Sequence, residues 1–548
     1  MIPKPSINPV TLTVLWSSLI SITDEMGSAL RRTAFSEAVR EGDDFSTGLF
    51  DAKGRLIAQG NFTPGHLGAM PYVVENVLKY VPPETLKPGD MLATNDSYLG
   101  AGHFPDVFLV APIFEGDTLL GYAVNTAHHV DMGGAQPGSE AIQGVRDAFA
   151  EGLRILPVRL VKGGEFDSDL LRVILGNVRI PDKVRGDLLA QRNSNHVGSQ
   201  RFRKLHAQYG ALLLAEAIEE IIDRSEARAR ELLSAIPDGT YSFDDQLDDY
   251  GPETSAINFC VDVTLKDGAA TVDFSRSSDA VPAGLNSYIN YTRAYSKFAI
   301  RVFAGIDVPN NAGSDRAIKI VAREGSFFNP RYPAASGGRA ATQVRIFEVI
   351  NGALAKAVPK RAMGAFTHWA NPKISGIDPE SGKRWLMYDM VMGGFGGRAS
   401  GDGAEALCPV FNCANIPVEV HEINSPVRFR CLELIPDSGG NGEFRGGCGI
   451  RKDIEILADN ATAVLASDRH KSHPYGLFGG SPGTIGRTVL VRGGVETDLA
   501  PKGVVQVERG DVISLRLSGA GGYGDPAKRS AEAIESDIVD GYITQART

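Results

Sequence analysis

Leu12, Leu15, Leu19, Ile22 and Met26 recur at intervals of three or four along the start of the chain, the spacing that lines one face of an α-helix. With Asn8 placed to cap and Pro9 suited to a first turn, the pattern predicts a helix over residues 9–35. From Phe45 to Val130 the period changes. Short apolar segments alternate with the turn clusters Asp51 to Gly54, Lys87-Pro88-Gly89-Asp90 and Glu115-Gly116-Asp117, a strand-rich pattern. Residues 182–236 return to helical spacing through Leu188, Leu205, Leu212, Ile218 and Ile222, predicting one or two long helices. Alternation from Ile257 to Phe274 around Lys266-Asp267-Gly268 predicts a hairpin. Beyond about residue 430, Val489 to Val491, Val504 to Val507 and Val512 to Leu517 read as strands separated by glycine pairs. The fold class is mixed α+β: an N-terminal domain over 1–236 that carries the candidate chemistry, a middle α+β domain over 237–400 and a β-rich C-terminal domain over 401–548. No internal repeat appears, and no parallel dinucleotide-binding sheet is expected.

Composition narrows the function classes. With 548 residues, 43% hydrophobic, 62 Gly and 30 Pro without a glycine period, collagen-like, disordered and disulfide-scaffold chains are excluded. A net charge of −10 argues against nucleic acid, whose phosphates need a basic surface. The stretch Val10 to Ile22 is broken by Thr11, Thr13, Ser17 and Ser18 and falls short of a membrane helix. It does not read as a signal peptide either, since only Lys4 precedes it and Asp24-Glu25 follows. The five cysteines (Cys260, Cys408, Cys413, Cys431, Cys448) are odd in number and include no Cys-x-x-Cys pair, which predicts reduced thiols and a cytoplasmic location.

The strongest chemical cluster is Asn95-Asp96-Ser97-Tyr98-Leu99-Gly100-Ala101-Gly102-His103-Phe104-Pro105-Asp106, followed by His128-His129-Val130-Asp131. Histidines and carboxylates beside strand edges suit a divalent ion such as Mn, Fe or Zn with positions left for water or substrate. The same residue types also cap turns, and spacing alone leaves both readings open. Glu41-Gly42-Asp43-Asp44 is either a further source of ligands or a solvated helix end. His66, His196 and His206 each stand isolated and read as structural. The glycine clusters form no phosphate-binding loop, and no Gly-x-Ser-x-Gly elbow occurs.

Taken together, these motifs carry a resemblance. Asp44-Phe45-Ser46, His66-Leu67-Gly68, the two histidine segments, Glu151-Gly152-Leu153-Arg154, Gly393-Gly394-Phe395-Gly396-Gly397-Arg398, Asn415-Ile416-Pro417-Val418-Glu419 and Gly521-Gly522-Tyr523-Gly524-Asp525-Pro526 resemble the hydantoinase B family. That family includes 5-oxoprolinase B-type subunits and the related subunits of acetone and acetophenone carboxylases. The resemblance implies a subunit of a hetero-oligomer, working beside an A-type partner that binds ATP-Mg and phosphorylates the substrate oxygen. It implies metal ligands Asp44, His103, Asp106 and His128, with His129 and Asp131 joining the catalytic set by orienting a ligand. It also implies ATP-dependent ring opening of a cyclic amide (hydantoin, 5-oxoproline or lactam), with ketone carboxylation as the alternative and a non-catalytic scaffold as a third reading. Where the commoner pattern has Gly-Gly-Thr-His, this chain has Gly100-Ala101-Gly102-His103, and Ser97 replaces a proline. Both changes adjoin an expected ligand.

Overall fold

A computed structural model describes residues 7–545 except 408, so Lys4 and Cys408 lie outside the described residues. Helix α1 (Pro9–Thr33) starts where the sequence places it: the Asn8 side chain accepts the Val10 N–H at 2.8 Å. A single turn, α2 (Glu37–Arg40), leads into β1 (Phe45–Asp51) and β2 (Leu56–Gln59). Helix α3 (Pro64–Tyr80) comes next, then β3 (Met91–Thr94), β4 (Asp106–Glu115), β5 (Thr118–His128), β6 (Val158–Lys162) and the short β7 (Glu165–Phe166). The strands form one seven-stranded sheet in the order β2-β1-β5-β4-β3-β6-β7.

The predicted strand-rich stretch therefore contains a helix that its turn-like residues conceal. Pro64, Gly65, Gly68 and Pro71 read as breakers. Yet Leu67, Met70, Val73, Val74 and Val77 keep helical spacing and are buried against Phe108, Val110 and Val124 of the sheet. Tertiary burial outweighs the local signals, at roughly 1.5–3 kcal/mol for each large side chain. The opposite sheet face is covered by α1 and by α5 (Pro181–Tyr209), with α4 (Ser168–Gly176) before it and α6 (Ala211–Ser234) after it. With both faces covered, β4 is buried from Asp106 through Ile113, so it reads as a continuous apolar run instead of an alternating one.

The second sheet, β8 (Gly239–Leu247), β9 (Ile257–Lys266), β10 (Ala269–Asp273) and β11 (Ile318–Val321), has the order β11-β10-β9-β8. The predicted hairpin is β9–β10, and Asp267 (φ 50°) and Gly268 (φ 70°) supply the left-handed pair its turn needs. Among the described strands only β10–β11 pair in parallel over several residues, so no parallel dinucleotide-binding sheet is present. Against this sheet pack α7 (Ile289–Ala304) and α8 (Ala340–Leu354), the latter buried along its whole length.

The C-terminal strands form two further sheets. β12 (Lys373–Ile377) and β13 (Arg384–Tyr388) join β16 (Ala461–Ala466) and β19 (Lys502–Val507), so pairing crosses residue 401. Beyond α9 (Val418–Asn424), β14 (Val427–Ile435) and β15 (Gly449–Ile456) join β17 (Arg487–Arg492), β18 (Val495–Asp498) and β20 (Val512–Arg516), followed by α10 (Ala531–Val539). Buried charges tie α8 to this region: Arg345 meets Asp468 at 2.7 Å and Arg469 meets Glu348 at 2.9 Å. No disulfide joins the described cysteines, and no helix of the described residues is long and apolar enough to cross a membrane.

Candidate metal centre

The hairpin β4–β5 puts the first two donors side by side. Asp106 opens β4, His128 closes β5, and the register pairs them directly. β1 lies against the other edge of β5, and the His128 N–H donates to the Asp44 carbonyl at 3.0 Å, which seats Asp44 beside them. Of the acidic run before β1, Asp43 turns to Arg31 at 3.1 Å while Asp44 faces inward. His103 arrives on the loop before β4. There Gly102, at φ 86°, lies so close to Tyr291 and Arg339 that a Cβ would collide with both side chains. The glycine standing where the commoner pattern has threonine thus makes room for the Arg339 guanidinium, which stacks 3.8 Å above Tyr291.

Three imidazoles converge on one oxygen. Asp106 Oδ1 is 2.9 Å from His103 Nε2, 3.2 Å from His66 Nε2 and 3.2 Å from His128 Nδ1. Its Oδ2 accepts from Tyr291 OH at 2.7 Å and from Arg339. Asp44 closes the ring, 3.8 Å from both His66 and His128. Five groups thus surround a carboxylate that offers about four lone-pair sites.

The tautomer of His103 sharpens the point. Its Nδ1 faces two acceptors, the Gly337 carbonyl at 2.8 Å and Glu140 Oε1 at 3.3 Å, so the proton belongs on Nδ1. Burial, reinforced by Arg339, pushes the His103 pKa down, so the ring is neutral and its Nε2 lone pair points at a carboxylate oxygen. Two lone pairs at that distance repel unless a cation lies between them. Donors bound at about 2.1 Å around a tetrahedral or octahedral ion stand roughly 3 Å apart, as these do. His103, Asp106 and His128 bring ligand atoms within 4.8 Å of one another, all buried. The donor set fits a divalent cation.

The surrounding charges set the protonation of the donors. Burial alone would raise the Asp106 pKa, but His103, His66 and Arg339 hold it well below the ordinary carboxylate range. Burial likewise opposes a charge on His128, but Glu140 and Asp106 outweigh it and raise its pKa. Behind the imidazoles, Glu140 is 3.3 Å from His103 Nδ1 and 3.9 Å from His128 Nε2, and Lys373 lies 2.8 Å from Glu140. A carboxylate on the outer nitrogen of a ligating histidine fixes its orientation and raises its basicity.

Asp44, His103, Asp106 and His128 line one small cavity of about 30 Å³, whose other walls include Tyr295, Trp369, Tyr388 and Phe411. His129 and Asp131, expected in the catalytic set, do not line it. His129 Nε2 donates to Gln191 Oε1 on α5 at 3.0 Å. Both Asp131 oxygens are occupied by Arg179 and by the backbone N–H groups of Gly133, Gly138 and Arg179. These two brace the chain beyond β5 and do not face the reacting space.

Conversely His66, set aside in the sequence as structural, stands in the cluster. Its signal was the flanking glycine pair: a Cβ on Gly65 would fall 2.5 Å from Tyr295, and one on Gly68 would fall 2.6 Å from Ala294. Those glycines let α3 close on α7 and carry His66 inward. Lys373, Tyr291 and Arg339 had no local signal, since they come from segments remote in sequence, and Glu140 stands in the loop after β5 without a motif of its own.

The chain matches the Hydantoinase B/oxoprolinase family over residues 8–526. It is 31% identical to the B-type subunit of a putative D-/L-hydantoinase from a Pseudomonas species, over 99% of this chain and 94% of that one. The crystal structure of an ATP-dependent caprolactamase from Pseudomonas jessenii superposes with a TM-score of 0.91 at 28% identity, covering 98% of this chain and 95% of that one. A nucleotide-free acetone carboxylase shares the fold at a TM-score of 0.88 and 19% identity, over 98% and 78%. Whole-length sequence similarity and a shared fold leave one assignment: this chain belongs to the Hydantoinase B/oxoprolinase family of enzymes.

Proposed function

We propose that this chain is the metal-binding subunit of an ATP-dependent cyclic-amide hydrolase, opening a hydantoin, 5-oxoproline or lactam ring after an A-type partner subunit has phosphorylated the ring oxygen. The observation that carries the reading is the buried convergence of His103, Asp106 and His128 inside an aromatic-walled cavity. The caprolactamase and the hydantoinase chain are its supports among relatives. In this reading ATP-Mg sits on the partner, in a hetero-oligomer, because this sequence carries no phosphate-binding loop.

His103, Asp106 and His128 would hold Mn, Zn or Fe, and Asp44 and His66 beside them would complete the donor set. A divalent ion there supplies a Lewis acid and lowers the pKa of water brought to it. The chain's own residues do the positioning. Arg339 and Tyr291 pin Asp106 Oδ2, so the carboxylate keeps Oδ1 toward the histidines. The Gly337 carbonyl holds the His103 proton on Nδ1 and keeps Nε2 as a donor lone pair. Glu140, neutralised by Lys373, steadies the outer nitrogens of His103 and His128. Tyr295, Trp369, Tyr388 and Phe411 exclude bulk water, which strengthens each electrostatic contact inside.

The test is metal content by mass spectrometry of the purified chain beside His103→Ala and His128→Ala, with ATP-dependent ring opening in the presence of the partner. Near-stoichiometric metal and turnover, both lost in the variants, is the expected result. A chain that stays metal-free after incubation with Mn, Zn and Fe would make it a scaffold. Turnover of a ketone that requires bicarbonate, with no cyclic amide opened, would make it part of a carboxylase.

A further inference from the structure

Along α7, Ala294, Lys297, Phe298 and Arg301 stand three or four residues apart and share a face. With residues 64–68 of α3 and 308–310 beyond α7 they line a cavity of about 270 Å³, which has no residue in common with the metal cavity. Two cations one helical turn apart repel each other and call for a carboxylate. Asp315 supplies one, but to Lys297 alone: its Oδ2 lies 3.1 Å from the ammonium. No carboxylate of the described residues comes within 4 Å of the Arg301 guanidinium. Its Nη2 donates to the Val308 carbonyl at 2.8 Å, and its Nη1 is buried without a partner. Asp315 Oδ1 is buried without a partner too.

Both bare atoms belong to charged groups. A guanidinium stays protonated, so it cannot escape the cost of burial by giving up its charge, and a buried charge is tolerated only when paired and hydrogen-bonded. Burial does push the Arg301 pKa down, against the pull of Asp315. A bare cationic donor and a bare anionic acceptor thus border one cavity without meeting each other. We propose that this cavity binds a small zwitterionic amino acid, its carboxylate on Arg301 and its ammonium on Asp315 Oδ1.

The rest of the cavity agrees with that class. Phe62, Leu67, Phe298 and Val308 give it apolar walls, which suit the carbon chain between the two charges. Lys297 and Arg301 against Asp315 leave one net positive charge, so an amine without a carboxylate adds to the repulsion. Phosphate satisfies Arg301 but turns a like charge towards Asp315. Lys297 and Asp315 also border a wider cleft of about 480 Å³ beside Tyr72, whereas Arg301 borders only the smaller cavity, which fixes the carboxylate end there. Adding water across the C–N bond of a lactam leaves a carboxylate and an amine on one chain, so the product of the proposed reaction falls in this class. The cavity stands on its own charges whichever reaction the metal centre performs.

The test is calorimetry and saturation-transfer NMR on the full chain with glycine, 4-aminobutanoate and 6-aminohexanoate, a series in which only the spacing of the charges changes. Each is compared with the carboxylate and the amine of the same chain length, and with inorganic phosphate. The expected result is that at least one amino acid binds on the order of tenfold or more tightly than its two analogues and than phosphate, since a site built to pair a polar group rejects the ligand that lacks it. Arg301→Met should abolish binding, and Asp315→Asn should bring the amino acid down to the level of its carboxylate analogue, with melting temperature as the check on folding.

The comparison within the wild type needs no variant. Absence of binding by the whole series overturns the proposal and leaves the cavity to water. A simple carboxylate or phosphate that binds as tightly as the amino acid overturns it in favour of a plain oxyanion site, and a preference that survives both variants places the ligand elsewhere. None of these results depends on metal, ATP or ring opening, so they stand apart from the fate of the hydrolase reading.

Discussion

Removing the cation of Lys373 separates the outer support of the centre from its ligands. Lys373 on β12 and Glu140 are both essentially unexposed, and the ammonium lies 2.8 Å from the carboxylate. Burial depresses the lysine pKa against the pull of Glu140. Burial also works against the Glu140 charge, but Lys373, His128 and His103 hold its pKa down. Lys373→Met leaves Glu140 buried and unpaired on the side away from the histidines, and breaking such a pair costs about 3–5 kcal/mol. Glu140 then takes up a proton and loosens its hold on His103 Nδ1 and His128 Nε2, which lie 3.3 and 3.9 Å away. Loss of such an outer partner typically weakens metal binding about 10–100-fold, or about 1.4–2.7 kcal/mol. The assay is thermal unfolding of the metal-free protein together with metal affinity by competition with a chromophoric chelator. The double variant Lys373→Met/Glu140→Gln should recover most of the stability, because neither member of the pair is left as an uncompensated buried charge, yet keep the weakened metal affinity. Wild-type stability and wild-type affinity in Lys373→Met would refute the reasoning at both steps.

Three further outcomes can be checked. Burial pushes the Glu151 carboxyl up to about 8, against the N–H groups of Ser336 and Gly337, from 4.5 for an unperturbed side chain. Between those values the unfolded chain releases a proton that the folded chain keeps, so stability falls as pH rises, by up to about 1.4 kcal/mol per unit. Glu151→Gln should therefore gain on the wild type from pH 5 to pH 8 in denaturant titrations, and parallel curves would count against it. Gly68→Ala puts a Cβ 2.6 Å from Ala294 Cβ and 2.7 Å from its Cα, so α3 must lift from α7. That overpacking costs about 1–3 kcal/mol and weakens metal binding through His66, whereas Gly176→Ala, with open space around it, is close to neutral. Finally, Asp131→Asn should lower the melting temperature and keep the metal, while Asp106→Asn loses it; metal loss in both would make Asp131 a ligand.

The sequence alone was sufficient for features governed by short-range physics. Helical period and an Asn cap specify α1, an Asp-Gly pair specifies the β9–β10 turn, and proline-free helical spacing specifies α5 and α6. Asp106 and His128 were legible because two adjoining strands carry them and hairpin register makes sequence neighbours into spatial ones, with His103 on the loop that leads into the first of those strands. Everything that depends on elements distant along the chain waited for the fold. Helix α3 hides behind two prolines and two glycines because its stability comes from burial, a property of its surroundings. His66 looked isolated until α3 closed on α7. Asp131 looked like chemistry until Arg179, 48 positions on, claimed it. Arg339 and Gln343 reach the cavity from more than two hundred residues beyond His103, carried there by α8. Local pattern records what a backbone segment prefers by itself, and convergence of charges and amides in a dry cavity is decided only when remote segments pack together.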